Sequence, residues 1–161
     1  VDPATVVPQN ATSASVAPQL RTQPLPTELQ AEFARIWRGH FAVDHDPSGL
    51  ACERNVLRYR PLPSVGLYVA ADADTADVAV AQLAARTAGV ALTRIDSPSA
   101  ARTERVRVIG SITDDELVAC HAAGVEVDRT PVVADPMIEL RRWVREQAIS
   151  WTRHRHGRLL D

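Results

Sequence analysis

The sequence contains no lysine and only two cysteines, and each shortage excludes a type of chemistry. All 18 basic side chains among its 161 residues, histidines apart, are arginines. Without lysine, the chain cannot form a Schiff base through a side-chain amine or bind phosphate through an ammonium group. Cys52 and Cys120 form no CxxC pair. We therefore expect two reduced thiols that serve as small apolar groups in a cytoplasmic protein.

Long apolar runs and an excess of charge are also missing. No stretch approaches the roughly 18 consecutive apolar residues of a membrane-spanning helix, and the first residues lack the pattern of a signal peptide. The net charge of −2 gives no general attraction to nucleic acids or acidic membranes. We expect a cytoplasmic globular domain that binds neither nucleic acids nor membranes.

The two ends of the chain differ from its middle. Residues 1–25 are rich in Ala, Thr, Ser, Gln and Pro without hydrophobic periodicity, which predicts a disordered linker. Residues 151–161 combine Trp151 with three arginines and two histidines, and we expect an apolar helical face to run into them. This pattern favours a docking tail that contacts another protein. A disordered end and a nucleic-acid-binding arm are the alternatives.

Residues 26–63 are predicted to form one helix and one edge strand. Apolar residues at helical spacing extend from Leu29 to Phe41, and Thr27 begins a capping box with Gln30. Residues 55–60 alternate as a strand would.

Residues 64–150 alternate between strand and helix patterns. Apolar runs predict strands at 65–71, 90–95 and 105–109, with a short fourth strand at 125–127 and a second piece of it at 131–133. Capping residues begin the intervening helices, and the last helix is expected to run to Ala148; the caps are Asp74, Thr113 and Asp135. This order predicts an α/β fold, a small Rossmann-like domain with a mostly parallel sheet of about four strands and flanking helices.

A Rossmann-like sheet suggests nucleotide binding, but the first crossover argues against it. Residues 70–77 contain no glycine, and their carboxylates Asp72, Asp74 and Asp77 would repel a pyrophosphate. A small nucleotide- or ligand-binding module that uses Asp72, Gly110 and Ser111 remains the alternative function.

No catalytic, cofactor-binding or metal-binding residue is predicted. Asp44, His45, Asp46 and Cys52 match no familiar zinc spacing and are typical of a solvated turn. Cys120 and His121 are adjacent in a helix, so their side chains point about 100° apart and form no catalytic dyad. No GxSxG motif surrounds a serine.

Two stretches of the sequence resemble a known family. Residues 41–50 with 53–61, and residues 140–157, resemble segments of proline utilization A proteins and related L-glutamate γ-semialdehyde (1-pyrroline-5-carboxylate) dehydrogenases. The resemblance extends over residues 27–161. In the terminal motif Glu146, Ile149, Ser150, Thr152 and Gly157 fit, whereas Trp151 and residues 153–156 depart from it.

The resemblance implies a function in proline catabolism. Proteins of this family oxidise proline with FAD and the semialdehyde with NAD, and their longer members carry a C-terminal domain of the aldehyde dehydrogenase superfamily fold without catalytic residues. By this resemblance the chain is an accessory domain without its own cofactor, in a parent oxidoreductase. It packs on the aldehyde dehydrogenase module in cis or across a dimer, supports assembly and covers that module or its internal channel. The expected contact residues are Arg58, Arg60, Ile149, Ser150, Trp151, Arg153, His154 and His156.

Overall fold

The computed structural model describes residues 25–152 of the chain. Most of the predicted linker 1–25 and most of the predicted tail 151–161, with Arg153, His154 and His156, lie outside the described residues. Leu25, the last residue assigned to the linker, is half-buried and packs against the core.

Within residues 25–152, helices and strands alternate along most of the chain. The helices are α1 Thr27–Ile36, α2 Thr75–Ala88, α3 Asp114–Ala122 and α4 Pro136–Arg141, with a π-helical turn Trp37–Phe41 after α1 and a 3₁₀ turn Pro98–Ala100. The strands are β1 Glu53–Pro61, β2 Ser64–Val69, β3 Ala91–Ile95, β4 Arg105–Ile109, β5 Glu126–Asp128 and β6 Val144–Thr152.

Four strands form a parallel sheet in the order β3-β2-β4-β5, and helices cover both of its faces. The larger core lies between one face and helices α1, α2 and α4, whereas Val106 and Val108 of β4 face α3 on the other side. Gly66 in the central strand β2 has a packing role, because a Cβ there would lie 3.0 Å from Ile95 and 3.2 Å from Val106. The predicted small Rossmann-like α/β fold is confirmed.

Capping residues begin three of the helices as predicted. The side chains of Asp74, Thr113 and Asp135 each accept a hydrogen bond from a backbone N–H in the first turn of α2, α3 and α4. The predicted cap of α1 is wrong. Thr27 lies inside that helix, Pro26 precedes it without a side-chain cap, and the Gln30 amide donates to the Leu25 carbonyl instead.

The end of the described chain also differs from the prediction. Helix α4 stops at Arg141, and residues 144–152 form strand β6 antiparallel to β1, so the predicted helix through Val144 and Ala148 is wrong. Leu140, Val144 and Ala148 follow one another at a spacing of four, which imitates a helical stripe. Pairing with β1, which lies far earlier in the sequence, overrides this local pattern.

Strands β1 and β6 form a separate two-stranded sheet, here called the ribbon (residues 53–61 and 144–152). The predicted edge strand at 55–60 is therefore longer and is paired with the chain's last described segment. Residues 131–133 form no strand, so only the first piece of the predicted fourth strand is present.

Candidate functional site

The register of the ribbon determines which side chains share a face. Val56 lies opposite Ile149, and opposed residues in an antiparallel pair point to the same side. One face, here called the arginine face, consists of Arg54, Val56, Arg58 and Arg60 from β1 and of Trp151, Ile149, Gln147 and Arg145 from β6.

The opposite face attaches the ribbon to the domain. Tyr59 is buried, and its ring lies 4.8 Å from that of Phe41 and 5.3 Å from that of His40, between centroids. His45 and Leu57 exchange two backbone hydrogen bonds of 2.9 and 2.8 Å, which extends the pairing on the outer edge of β1. The outer edge of β6 has no strand partner among the described residues.

Several of the predicted contact residues come together on the ribbon. Arg58, Arg60, Ile149 and Trp151 share the arginine face, although β1 and β6 are far apart in sequence. Ser150 lies on the opposite face, where its hydroxyl donates to the Asn55 side-chain oxygen. Their role in an interface stays a prediction.

Neutral side chains hold two of the arginines in place. The Arg58 Nε–H donates to Gln147 Oε1 at 2.7 Å, and the guanidinium carbon of Arg54 lies 5.2 Å from the centroid of the Trp151 ring. Trp151 is 43% exposed. No carboxylate of residues 25–152 lies within 4.0 Å of the charged nitrogens of Arg54, Arg58 or Arg60.

A small apolar hollow lies beside the middle of the ribbon. Its volume is about 260 Å³, and its lining residues are Pro47, Asn55, Val56, Leu57, Ala148, Ile149 and Ser150. Val56 is 3% exposed, whereas Ile149 remains half-buried. Four of these lining residues, Asn55, Leu57, Ala148 and Ser150, belong to the face opposite the arginines, so the hollow is not part of the arginine face. On the arginine face itself, the Val56–Ile149 pair lies between Arg54 and Arg58.

Sequence reasoning missed Arg54, Arg145 and Gln147 as members of this face. The signal was an alternation of period two: Arg145, Gln147, Ile149 and Trp151 occupy every second position of one segment. Reading that segment as a helix concealed the alternation.

The second candidate site is the edge of the parallel sheet where β2 and β4 end. In folds of this kind a ligand binds at the point where the strand order reverses. Here Asp72 Oδ1 accepts a hydrogen bond of 2.9 Å from the Ser111 N–H, and Oδ2 accepts one from the Ser111 hydroxyl. Both hydrogen bonds lower the pKa of Asp72, and the one from the Ser111 hydroxyl has the larger effect.

Gly110 allows the Asp72 carboxylate to approach so closely. Its φ of 88° is left-handed, and a Cβ there would lie 2.6 Å from Asp72 Oδ1. The backbone amide that would otherwise contact a bound anion already has an acidic partner from the chain itself. This arrangement disfavours a phosphate or pyrophosphate at the switch point.

The adjacent cleft is acidic as well. It encloses about 340 Å³ between Tyr68 of β2 and the segments that follow β3 and β4, and its lining includes Asp96 and Glu116. Glu116 Oε1 accepts hydrogen bonds from the Ser99 amide and hydroxyl and from the Ser97 hydroxyl. These bonds, led by that from the Ser99 amide, lower the pKa of Glu116. A carboxylate that stays ionised here is poorly suited to an anionic ligand.

A buried charged cluster connects the sheet to the ribbon. Arg107 of β4 is 2% exposed and Glu139 of α4 is fully buried, and Arg107 Nη1 donates to the Thr130 carbonyl at 2.6 Å and to Asp128 Oδ1 at 3.1 Å. The Trp143 indole N–H donates to Glu139 Oε1 at 3.3 Å. Burial raises the pKa of Glu139, and the Arg107 charge opposes that shift.

The residues weighed for metal binding or nucleophilic catalysis are dispersed. His45 Nε2 lies 2.8 Å from the His40 carbonyl oxygen, Cys52 is half-buried and Cys120 is buried. Burial raises the pKa of the Cys120 thiol, which favours its unreactive protonated form. Residues 25–152 contain no group of three or more His, Cys, Asp or Glu side chains arranged to hold a metal ion. None of the described helices is both long and apolar enough to cross a membrane.

The chain is similar to one part of Proline Utilization A. Its structure matches that of Proline Utilization A (PutA) from Corynebacterium freiburgense with a TM-score of 0.66 and 30% sequence identity. The match covers 89% of this chain but only 16% of that chain. This similarity supports a domain related to part of PutA. No family profile matches the sequence, and no curated protein matches it.

Proposed function

We propose that the chain is a non-catalytic accessory domain of a protein of proline catabolism, and that it docks through its ribbon. The observation that carries the proposal is the arginine face, where Trp151 is exposed beside the Val56–Ile149 pair at the centre of the ribbon. A large exposed aromatic side chain next to an apolar pair is typical of a contact surface. The likeness to a part of PutA supplies the context of proline catabolism.

The partner in this proposal is the aldehyde dehydrogenase module of the parent chain, in cis or across a dimer. The parent is then an oxidoreductase of the cytoplasm that uses NAD, and FAD if it is bifunctional, whereas this domain holds neither cofactor. Its role is to stabilise assembly and to cover the catalytic module or its channel. The Asp72–Ser111 contact at the switch point supports this proposal over a small nucleotide- or ligand-binding module.

Deletion of residues 25–152 from the parent protein tests this role. We expect the deletion to reduce semialdehyde-dependent NADH formation and to change the oligomeric state or the melting temperature of the remaining protein. The full-length parent carrying only Ile149→Asp should reproduce most of the loss, because a charge at the apolar centre opposes docking.

Val118→Asp is the matched control. Val118 is 69% exposed on α3 and belongs to a part of the chain far from the ribbon in sequence. Its substitution should leave both activity and assembly unchanged. Full activity and unchanged assembly after the deletion would contradict the accessory role.

A further inference from the structure

The charge pattern of the arginine face identifies the chemistry of its partner, if the face docks as proposed above. Arg60 lies directly opposite Arg145 in the ribbon. Like charges in directly opposed positions destabilise a strand pair. Arg145 forms an ion pair with Glu104, but no carboxylate of residues 25–152 lies within 4.0 Å of Arg60. Glu104 thus compensates the charge of Arg145 within the chain, whereas Arg60 keeps a charge that a carboxylate from outside would neutralise.

Arg54 and Arg58 extend this pattern along the same strand. Trp151 and Gln147 position their guanidinium groups without neutralising them. Arg54 and Arg58 are four residues apart, which corresponds to about 13 Å along a strand, and Arg60 lies about 7 Å beyond Arg58. The Arg54 and Arg58 side chains are thus partly ordered before any partner binds, which lowers the entropy cost of binding.

We infer that the partner surface is a strip of carboxylates beside an apolar side chain. The carboxylates pair with Arg54, Arg58 and Arg60, and the apolar side chain packs on Ile149 above the buried Val56. Arginine pairs with carboxylates through two parallel hydrogen bonds, which gives the contact orientation as well as attraction. Since the chain as a whole carries a net charge of −2, the attraction comes from this face and not from the domain in general.

The test measures association between this chain and the parent protein from which it has been deleted. Arg58→Glu and Arg60→Glu should each raise Kd about tenfold, and raising the salt concentration from low to physiological should weaken wild-type binding more than binding of these variants. Arg86→Glu, on an exposed position at the end of α2, is the matched control and should change Kd less than about twofold. Circular dichroism of each variant checks that it is folded.

The possible outcomes separate this inference from the docking proposal. If Ile149→Asp abolishes binding while Arg58→Glu and Arg60→Glu bind like wild type, the ribbon docks but its partner surface is not acidic. If wild type does not bind the deleted parent, both proposals fail. If a single-stranded oligonucleotide binds the chain and displaces the parent protein that lacks this domain, the partner of the arginine face is a nucleic acid and not an acidic protein surface.

Discussion

Arg107 and Glu139 lie 3.5 Å apart, between Nη2 and Oε1, although both side chains are buried. They join β4 to α4, and Glu139 also accepts a hydrogen bond from the indole N–H of Trp143, the residue just before β6 begins. The cluster thus lies at the point where the ribbon leaves the domain.

Removing one member of this pair should destabilise the domain strongly. Arg107→Met leaves the Glu139 carboxylate buried without its main counter-ion, and breaking such a pair typically costs about 3–5 kcal/mol. The double variant Arg107→Met, Glu139→Leu should lose less than the sum of the two single variants. Urea unfolding of the four proteins measures the coupling. A loss below about 0.5 kcal/mol for Arg107→Met would show that the pair does not hold the domain together.

His40, whose ring lies against that of Tyr59 in the ribbon, predicts sensitivity to acid. Burial, then His45 and Arg141, lower the pKa of His40, which means that the folded state favours its neutral form. The stability that this group contributes is present above its unfolded pKa of about 6.5 and is lost as pH falls through its lower folded pKa. His40→Gln should therefore lose less stability than wild type between pH 7 and pH 5. His121→Gln, on the exposed end of α3, should follow the wild-type profile, and a His40→Gln profile identical to wild type would contradict this assignment.

Gly110 and Gly124 provide a matched pair of glycines. Both have a left-handed φ, 88° and 71°, but only at Gly110 would a Cβ meet other atoms, including Asp72 Oδ1. Gly124→Ala should cost about 1 kcal/mol of backbone strain, and Gly110→Ala should cost more because the Asp72–Ser111 contact must also shift. Thermal unfolding compares them. Equal losses would mean that the close approach of Asp72 is not a constraint.

Because the Asp72 carboxylate fills the switch point between β2 and β4, we expect the domain not to bind nucleotides. NAD, FAD or AMP should leave the melting temperature of the domain unchanged, because the Ser111 amide that an anion would need already donates a hydrogen bond to Asp72. A ligand present at 100 times its Kd would instead stabilise the domain by about 2.7 kcal/mol. Saturable stabilisation by one of these compounds would favour the small ligand-binding module over the accessory role.

Local chemistry made much of the parallel sheet predictable. Asp74, Thr113 and Asp135 are short polar residues ahead of apolar helical patterns, and the predicted strand at 105–109 has the observed bounds. These elements depend on signals within a few residues, which a sequence displays directly.

The ribbon was not predictable in the same way. Its formation depends on pairing between Val56 and Ile149, and the spacing of Leu140, Val144 and Ala148 suggests a helix when the partner strand is unknown. The predicted contact residues on β1 and on β6 belong to separate parts of the sequence. Only the register places them on one face, and it adds the neighbouring arginines that the sequence alone did not single out.

Rescue in trans tests whether the domain docks through its ribbon. The parent protein without residues 25–152 is mixed with the separate chain, and semialdehyde-dependent NADH formation is followed. We expect the wild-type chain to restore activity, Val118→Asp to restore it equally, and Ile149→Asp to fail although it remains folded. Equal rescue by Ile149→Asp and wild type would contradict docking through the ribbon.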